Sequence, residues 1–182
     1  NFTLSQVECK VILNYNLYMN FVSTKNSKNQ VSFKEAVLNC IPADGGLYVP
    51  DECEDLRRWI LYSDEKTSFS SLAGSLTSAM INKEFSPIIC ETIASRAFSK
   101  DPVFRQLDKN LFILELYHGS SGIFKDYGVS YLTATLETIL QYDGKKSIIL
   151  EATSGDLGAC IAPAMRGKKL LKSVLLSCSY KI

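Results

Sequence analysis

From Leu111 onward the chain alternates extended apolar runs with helical stretches, and this alternation limits the possible folds more than any other feature. Leu111 to Tyr117 is a mostly apolar run of strand length. The helix after Lys125 carries Leu132, Leu136, Ile139 and Leu140 on one face and stops around Asp143-Gly144. Ser147 to Glu151 is a second strand, Gly155 to Arg166 a second helix ended by Gly167, and Ser173 to Ser177 a third strand. A β-α-β-α-β order implies a parallel sheet with right-handed crossovers. Such sheets are buried on both faces and rarely stop at three strands. The expectation is therefore an unfinished sheet, with an edge open to self-association.

The first hundred residues have a different character. Residues 1–30 are irregular and Asn-rich apart from the apolar patch Val11-Ile12-Leu13. Ser32-Phe33-Lys34-Glu35 then spells a capping box ahead of Ala36-Val37-Leu38. Pro42-Ala43-Asp44-Gly45-Gly46 breaks that helix and allows a positive-φ turn before the short extended piece Leu47-Tyr48-Val49-Pro50. One further helix starts near Ser68, with Leu72, Leu76, Ala79 and Met80 at one-face spacing. Another starts at Ser86-Pro87, with Ile89, Ile93 and Ala97 on a stripe. This part reads as a mainly helical unit with little strand signal, able to cover one face of the sheet. Asp101-Pro102 marks the change.

Composition excludes several function classes. With 46% hydrophobic residues and a net charge of +1 the chain suits one ordinary folded domain, or one domain and part of another. Nucleic acid is not an expected partner, since Lys168-Lys169 and Arg57-Arg58 are short solvated clusters and not a basic stripe. No run approaches the roughly 20 apolar residues of a membrane span, so no membrane partner is expected. The cysteines Cys9, Cys40, Cys53, Cys90, Cys160 and Cys178 form no CxxC pair, and only His118 could join them, which argues against a metal site. Cys160 and Cys178 lie in apolar stretches and read as buried free thiols in a reduced, cytoplasmic protein. No signal-peptide pattern opens the chain.

Two loops could carry chemistry. In the first, His118-Gly119-Ser120-Ser121-Gly122 lets backbone approach a ligand closely, and Phe124-Lys125 follows at the mouth of a helix. This is the carboxyl end of a parallel strand, where open α/β sheets bind ligands. The positive end of a helix favours the neutral amine, and a neutral amine is the nucleophile that forms a Schiff base with an aldehyde. The second loop, Thr153-Ser154-Gly155-Asp156-Leu157-Gly158, offers backbone N–H groups, two hydroxyls and a helix N-terminus to an anion. Read blandly, the same residues are a capped helix start. Asp156 would oppose a bound anion and is expected to turn away or hold a neighbouring loop. His118 reads either as a structural strand-end histidine or as a phosphate contact.

Four blocks of the chain resemble the threonine synthase family: Val31-Ser32-Phe33-Lys34-Glu35-Ala36-Val37, Pro42 to Pro50, Glu115-Leu116-Tyr117-His118-Gly119 leading into Phe124-Lys125-Asp126, and Ala152-Thr153-Ser154-Gly155-Asp156. Their order and spacing also fit, over roughly residues 19–182, and Met19 to Thr24 is similar to the family's usual N-terminus. The resemblance implies an α/β, tryptophan-synthase-β-like protein. An extra segment would occupy residues 1–18, a mainly helical N-terminal domain 19–100, and an incomplete parallel-sheet βαβαβ cofactor domain 101–182. It implies a pyridoxal 5'-phosphate enzyme that converts O-phosphohomoserine and water to threonine and phosphate. Lys125, with Phe124 and Asp126, would hold the cofactor, and Lys125 would also shuttle protons. Thr153, Ser154, Gly155, Asp156, Gly158, His118, Ser120 and Ser121 would meet the substrate.

The chain also departs from the family pattern. Ser120-Ser121 stands where Pro-Thr is usual, Gly122-Ile123 replaces the pair before Phe-Lys-Asp, and Leu157 replaces a threonine. Pro163 falls inside the second helix, where an interior proline costs about 3 kcal/mol or bends the helix. The family's phosphate-binding glycine loop comes later and has no counterpart here, so this chain alone is expected not to turn over substrate. A decayed, non-catalytic module and a related pyridoxal-phosphate lyase or dehydratase are the alternatives. The Asp44 to Pro50 block speaks against the second.

Overall fold

The computed structural model describes residues 20–52, 54–81 and 83–177. Cys9, Cys53, Cys178, the apolar patch at 11–13 and the segment 1–18 with Met19 lie outside the described residues.

Helix α1 (Phe33–Asn39) begins at the predicted capping box. The Ser32 hydroxyl accepts from the Glu35 amide at 3.1 Å, and the Glu35 carboxylate accepts from the Ser32 amide at 2.9 Å. Glu84, from the loop between two later helices, adds acceptors for the Phe33 and Lys34 amides, so the α1 N-terminus is satisfied on all sides. Strands β1 (Phe21–Ser23), β2 (Asn26–Val31) and β3 (Tyr48–Pro50) form an antiparallel sheet in the order β2-β1-β3. The expectation of a strand-poor N-terminal unit is corrected here. β2 is polar and almost wholly exposed, so it carries no alternation to read, and only the pairing around β1 makes it a strand. Gly45 supplies the expected positive φ, at 72°.

Helix α2 (Arg57–Leu61) is short and has no buried residue. α3 (Phe69–Ile81) and α4 (Pro87–Ala97) pack closely: a methyl at Gly74 would meet the Glu91 Cα at 2.9 Å. The face α3 buries is Gly74, Thr77, Ser78, Ala79 and Ile81, while Met80 from the expected stripe is exposed. Ile93 and Ala97 of α4 are buried as their spacing predicts. They meet Ala134 of α5 (Lys125–Asp143), with Phe98 stacked on Tyr131 beside them. A second cluster joins Ile81, Phe85, Cys90 and Ile139. The helical unit thus packs on α5 and not on a sheet face, because α5 presents small residues and threonines (Thr133, Ala134, Thr135, Thr138) that let α4 approach.

The βαβ unit is formed by β6 (Ser147–Ala152), α6 (Asp156–Ala164) and β7 (Leu171–Leu176), with β6 and β7 paired parallel from Ser147↔Leu171 to Ala152↔Leu176. The run at 111–117 departs from expectation. β5 (Leu111–Glu115) pairs with β4 (Val103–Asp108) as an antiparallel hairpin and is not hydrogen-bonded to β6 or β7. A two-residue link, Lys109-Asn110, makes that local pairing the low-entropy choice. Burial on both faces is corrected as well: Ile148, Leu150, Val174 and Leu176 on one face of the parallel pair are exposed. Pro163 is the last residue but one of α6, so the interior position expected for it is in fact the helix end. The helix stops at the next residue, and Met165 and Arg166 donate to Ile161 and Pro163 in the closing turn. Among the described residues no helix is long and apolar enough to cross a membrane, and no group of three His, Cys, Asp or Glu side chains could hold a metal.

Candidate active site

Lys125 is the first residue of α5 and half-exposed, and its Nζ lies 3.7 Å from Asp156 Oδ2 at the first residue of α6. The two loops singled out in the sequence therefore converge, each at the N-terminus of its own helix. Asp156 holds the neighbouring loop through its lysine. With the two side chains 40% and 69% exposed, such a pair is worth no more than about 1 kcal/mol, so an incoming ligand can readily displace it. Phe124 beside the lysine is exposed and free to cover a planar ring.

The turn before Lys125 is built around Asp126, which is buried. Its Oδ2 accepts from the Ser121 amide and its Oδ1 from the Ser121 hydroxyl, both at 2.8 Å. The same hydroxyl accepts from the Ile123 amide at 3.2 Å and contacts Cys160 Sγ of α6 at 3.2 Å. One donor and two acceptor positions are all a serine hydroxyl has, so Ser121 is fully engaged inside the turn. Gly119 packs directly on Asp126, where an added methyl would stand 2.2 Å from Oδ2. Gly122 turns the chain at φ 74°. Ser120 is exposed and unconstrained by this network.

In the second loop the Thr153 hydroxyl accepts from the amides of Gly155 and Gly158, both at 3.2 Å. It fills the capping role that Gly155, the N-cap, cannot supply. Gly158 is buried against it, with no room for a methyl (2.6 Å from Thr153 Cγ2). Two of the donors expected to meet an anion are thus occupied. The amides of Asp156 and Leu157 and the exposed Ser154 hydroxyl remain to serve one.

His118 is oriented by a residue the sequence reading passed over. Glu115, the one buried residue of β5, accepts from His118 Nε2 at 2.8 Å and from Arg105 Nε of β4 at 2.8 Å. These bonds, His118 first, hold the Glu115 carboxyl below its ordinary range against the opposing effect of burial. An ionised carboxylate only accepts, so Nε2 carries the proton and Nδ1 is the nitrogen left for other contacts. The signal was present as a lone carboxylate in an apolar strand three residues before the only histidine. Cys160 was expected to be a buried thiol and is, at 1% exposure. Its link to Ser121 could not be read from sequence. An amine, an exposed aromatic ring, glycine-borne turns and a helix N-terminus suit a planar aldehyde with an anionic tail.

Residues 20–98 match the family described as threonine synthase N terminus. The chain is 29% identical to the threonine synthase of Pseudomonas aeruginosa over 153 residues, covering 81% of this chain and 33% of that protein. It is 31% identical to the Escherichia coli K12 threonine synthase, over 87% of this chain and 36% of that one. Against the human threonine synthase-like 2 it is 30% identical, over 86% and 34%. Among solved structures, the PLP-bound threonine synthase from Brucella melitensis superposes with a TM-score of 0.81 at 28% identity, covering 90% of this chain and 36% of that one. The yeast threonine synthase gives 0.79 at 29%, covering 88% and 36%. The chain spans about a third of the length of these relatives.

Proposed function

We propose, for a chain whose sequence and fold correspond to the N-terminal portion of threonine synthases, that it carries the lysine half of a pyridoxal-phosphate-dependent lyase acting on O-phosphohomoserine in the cytoplasm. The observation that carries this reading is the meeting of Lys125 with the Thr153 to Gly158 loop through Asp156. When bound, pyridoxal phosphate supplies the electron sink for chemistry at the substrate's α-carbon. Lys125 Nζ is the group that holds the cofactor and then accepts and returns a proton. Phe124 covers the ring, while Asp126 keeps the turn in the shape that presents Lys125. Ser154 and the free amides at the start of α6 receive the substrate's carboxylate, with Thr153, Gly155 and Gly158 fixing that helix end. His118, held by Glu115, and Ser120 face the anionic leaving group, with Ser121 as their scaffold. Self-association through the β6–β7 edge belongs to the same reading and is supported by a parallel sheet of only two strands, each with one edge that no other described strand pairs.

A second reading, a non-catalytic module, draws on the same ion pair: a lysine already answered by Asp156 needs no ligand. Incubation with pyridoxal phosphate, borohydride reduction and peptide mapping separate the two. Stoichiometric modification at Lys125 is expected. Modification scattered over surface lysines would leave the module reading standing.

A further inference from the structure

A cavity of about 230 Å³ opens between the C-terminal end of α4, the first turns of α5 and the end of α6. Neither Lys125 nor the Thr153 to Gly158 loop lines it, so it lies on the other side of the turn described above, whose Gly119, Ser120 and Asp126, with Cys160, form part of its wall. Arg96, Lys100, Arg166 and Lys168 stand in its wall against one carboxylate, Asp126. In a chain with 20 basic and 19 acidic residues this is a local excess. Lys168 is answered by Glu137 at 3.2 Å. Among the described residues Arg96, Lys100 and Arg166 have no ion-pair partner. Two segments, the end of α4 and the end of α6, thus bring positive charge without an ion-pair partner to one concavity, which concentrates anions there.

A second observation points the same way. Tyr127 lines the cavity, and its hydroxyl is buried with no hydrogen-bond partner. Buried polar atoms of this kind are rare and ask for a missing acceptor. Burial and the nearby carboxylates of Asp101 and Asp126 push the phenol's pKa upward, so it stays a neutral donor. Drug-sized ligands occupy roughly 300–1,000 Å³, and this space is smaller.

We propose that this cavity binds a phosphate-sized dianion, held by Arg96, Lys100 and Arg166 with the Tyr127 hydroxyl as donor. The test titrates inorganic phosphate into the intact chain at constant ionic strength, balanced with chloride, and follows backbone amides by NMR. Saturable shifts are expected at Lys100, Ser120, Tyr127 and Arg166. Lys100→Ala and Arg166→Ala should each weaken binding about tenfold, as expected for one charge-assisted hydrogen bond. Tyr127→Phe keeps the ring contacts with Phe69 and Phe98 and the charge, so a loss of severalfold in that folded variant reports the hydroxyl alone. Lys28→Ala, on the exposed β2, should change nothing. Shifts that track ionic strength across all lysines, or binding indifferent to the Lys100, Arg166 and Tyr127 variants, would overturn the assignment. Reductive labelling of Lys125, measured in parallel, keeps a failure here distinct from a failure of the lyase reading.

Discussion

Replacing Gly119 with alanine tests how the turn before Lys125 is built. Gly119 does not use a positive φ, so alanine meets no backbone penalty and the effect is one of contact alone. The new methyl would sit 2.2 Å from Asp126 Oδ2 and 2.9 Å from its Cβ and Cγ. The carboxylate must then swing away from both Ser121 bonds, each 2.8 Å long. Overpacking costs about 1–3 kcal/mol and a lost hydrogen bond to a charged group about 1.5–3 kcal/mol. With partial re-formation of one bond, Gly119→Ala should destabilise by about 3 kcal/mol. Asp126→Ala removes the same bonds and should cost about 2–3 kcal/mol. Because it also removes most of the obstacle, the double variant should be little worse than Asp126→Ala, a coupling of about 2 kcal/mol. Urea unfolding of the four proteins, followed by circular dichroism, measures the cycle. Costs that add to within about 0.5 kcal/mol would show that the methyl is accommodated without moving Asp126, and the account of the turn would fall.

Ile139 is fully buried among Ile81, Phe85 and Cys90, so Ile139→Ala should cost about 2–5 kcal/mol in the same unfolding assay. Glu115 has a depressed carboxyl pKa in the folded chain, so the stability it contributes is present above its unfolded value and lost as pH falls through the folded one. The gap in melting temperature between the parent and Glu115→Gln should close as the solution becomes more acidic than the ordinary glutamate value of 4.5. A gap that widens on acidification would reverse the sign of the argument. Cys40 is exposed, while Cys90 has no exposure and a thiol pushed up to about 11. Iodoacetamide under native conditions should therefore modify Cys40 well before Cys90, as read by peptide mass.

Short-range signals carried most of what was legible. Ser32 and Glu35 form the box their spacing announces, Pro87 opens α4, and the small-residue loops before Lys125 and before α6 fall at helix starts. These features are decided within a few residues and need no partner. Pairing was another matter. An apolar run such as Leu111 to Glu115 fits either a parallel or an antiparallel neighbour. The choice was made by the unremarkable Val103 to Asp108, joined to it by two residues. Side-chain commitments were less legible still. Ser121 and Thr153 look like free hydroxyls in a loop, yet Thr153 is spent on nearby backbone amides and Ser121 on the Ile123 amide and the Asp126 carboxylate. Only the folded chain shows that Ser154 and Ser120 are the ones left open.

The Glu115 carboxylate sits in a hairpin whose other residues are exposed. Few buried contacts mean a low free energy of local opening, far below that of the α4–α5 core. Amides of 103–115 should accordingly exchange with deuterium early, and each opening releases the imidazole that Glu115 orients. The geometry at His118 is therefore only as long-lived as a two-stranded ribbon, and whatever rests on the outer face of that ribbon sets how long the histidine stays aimed.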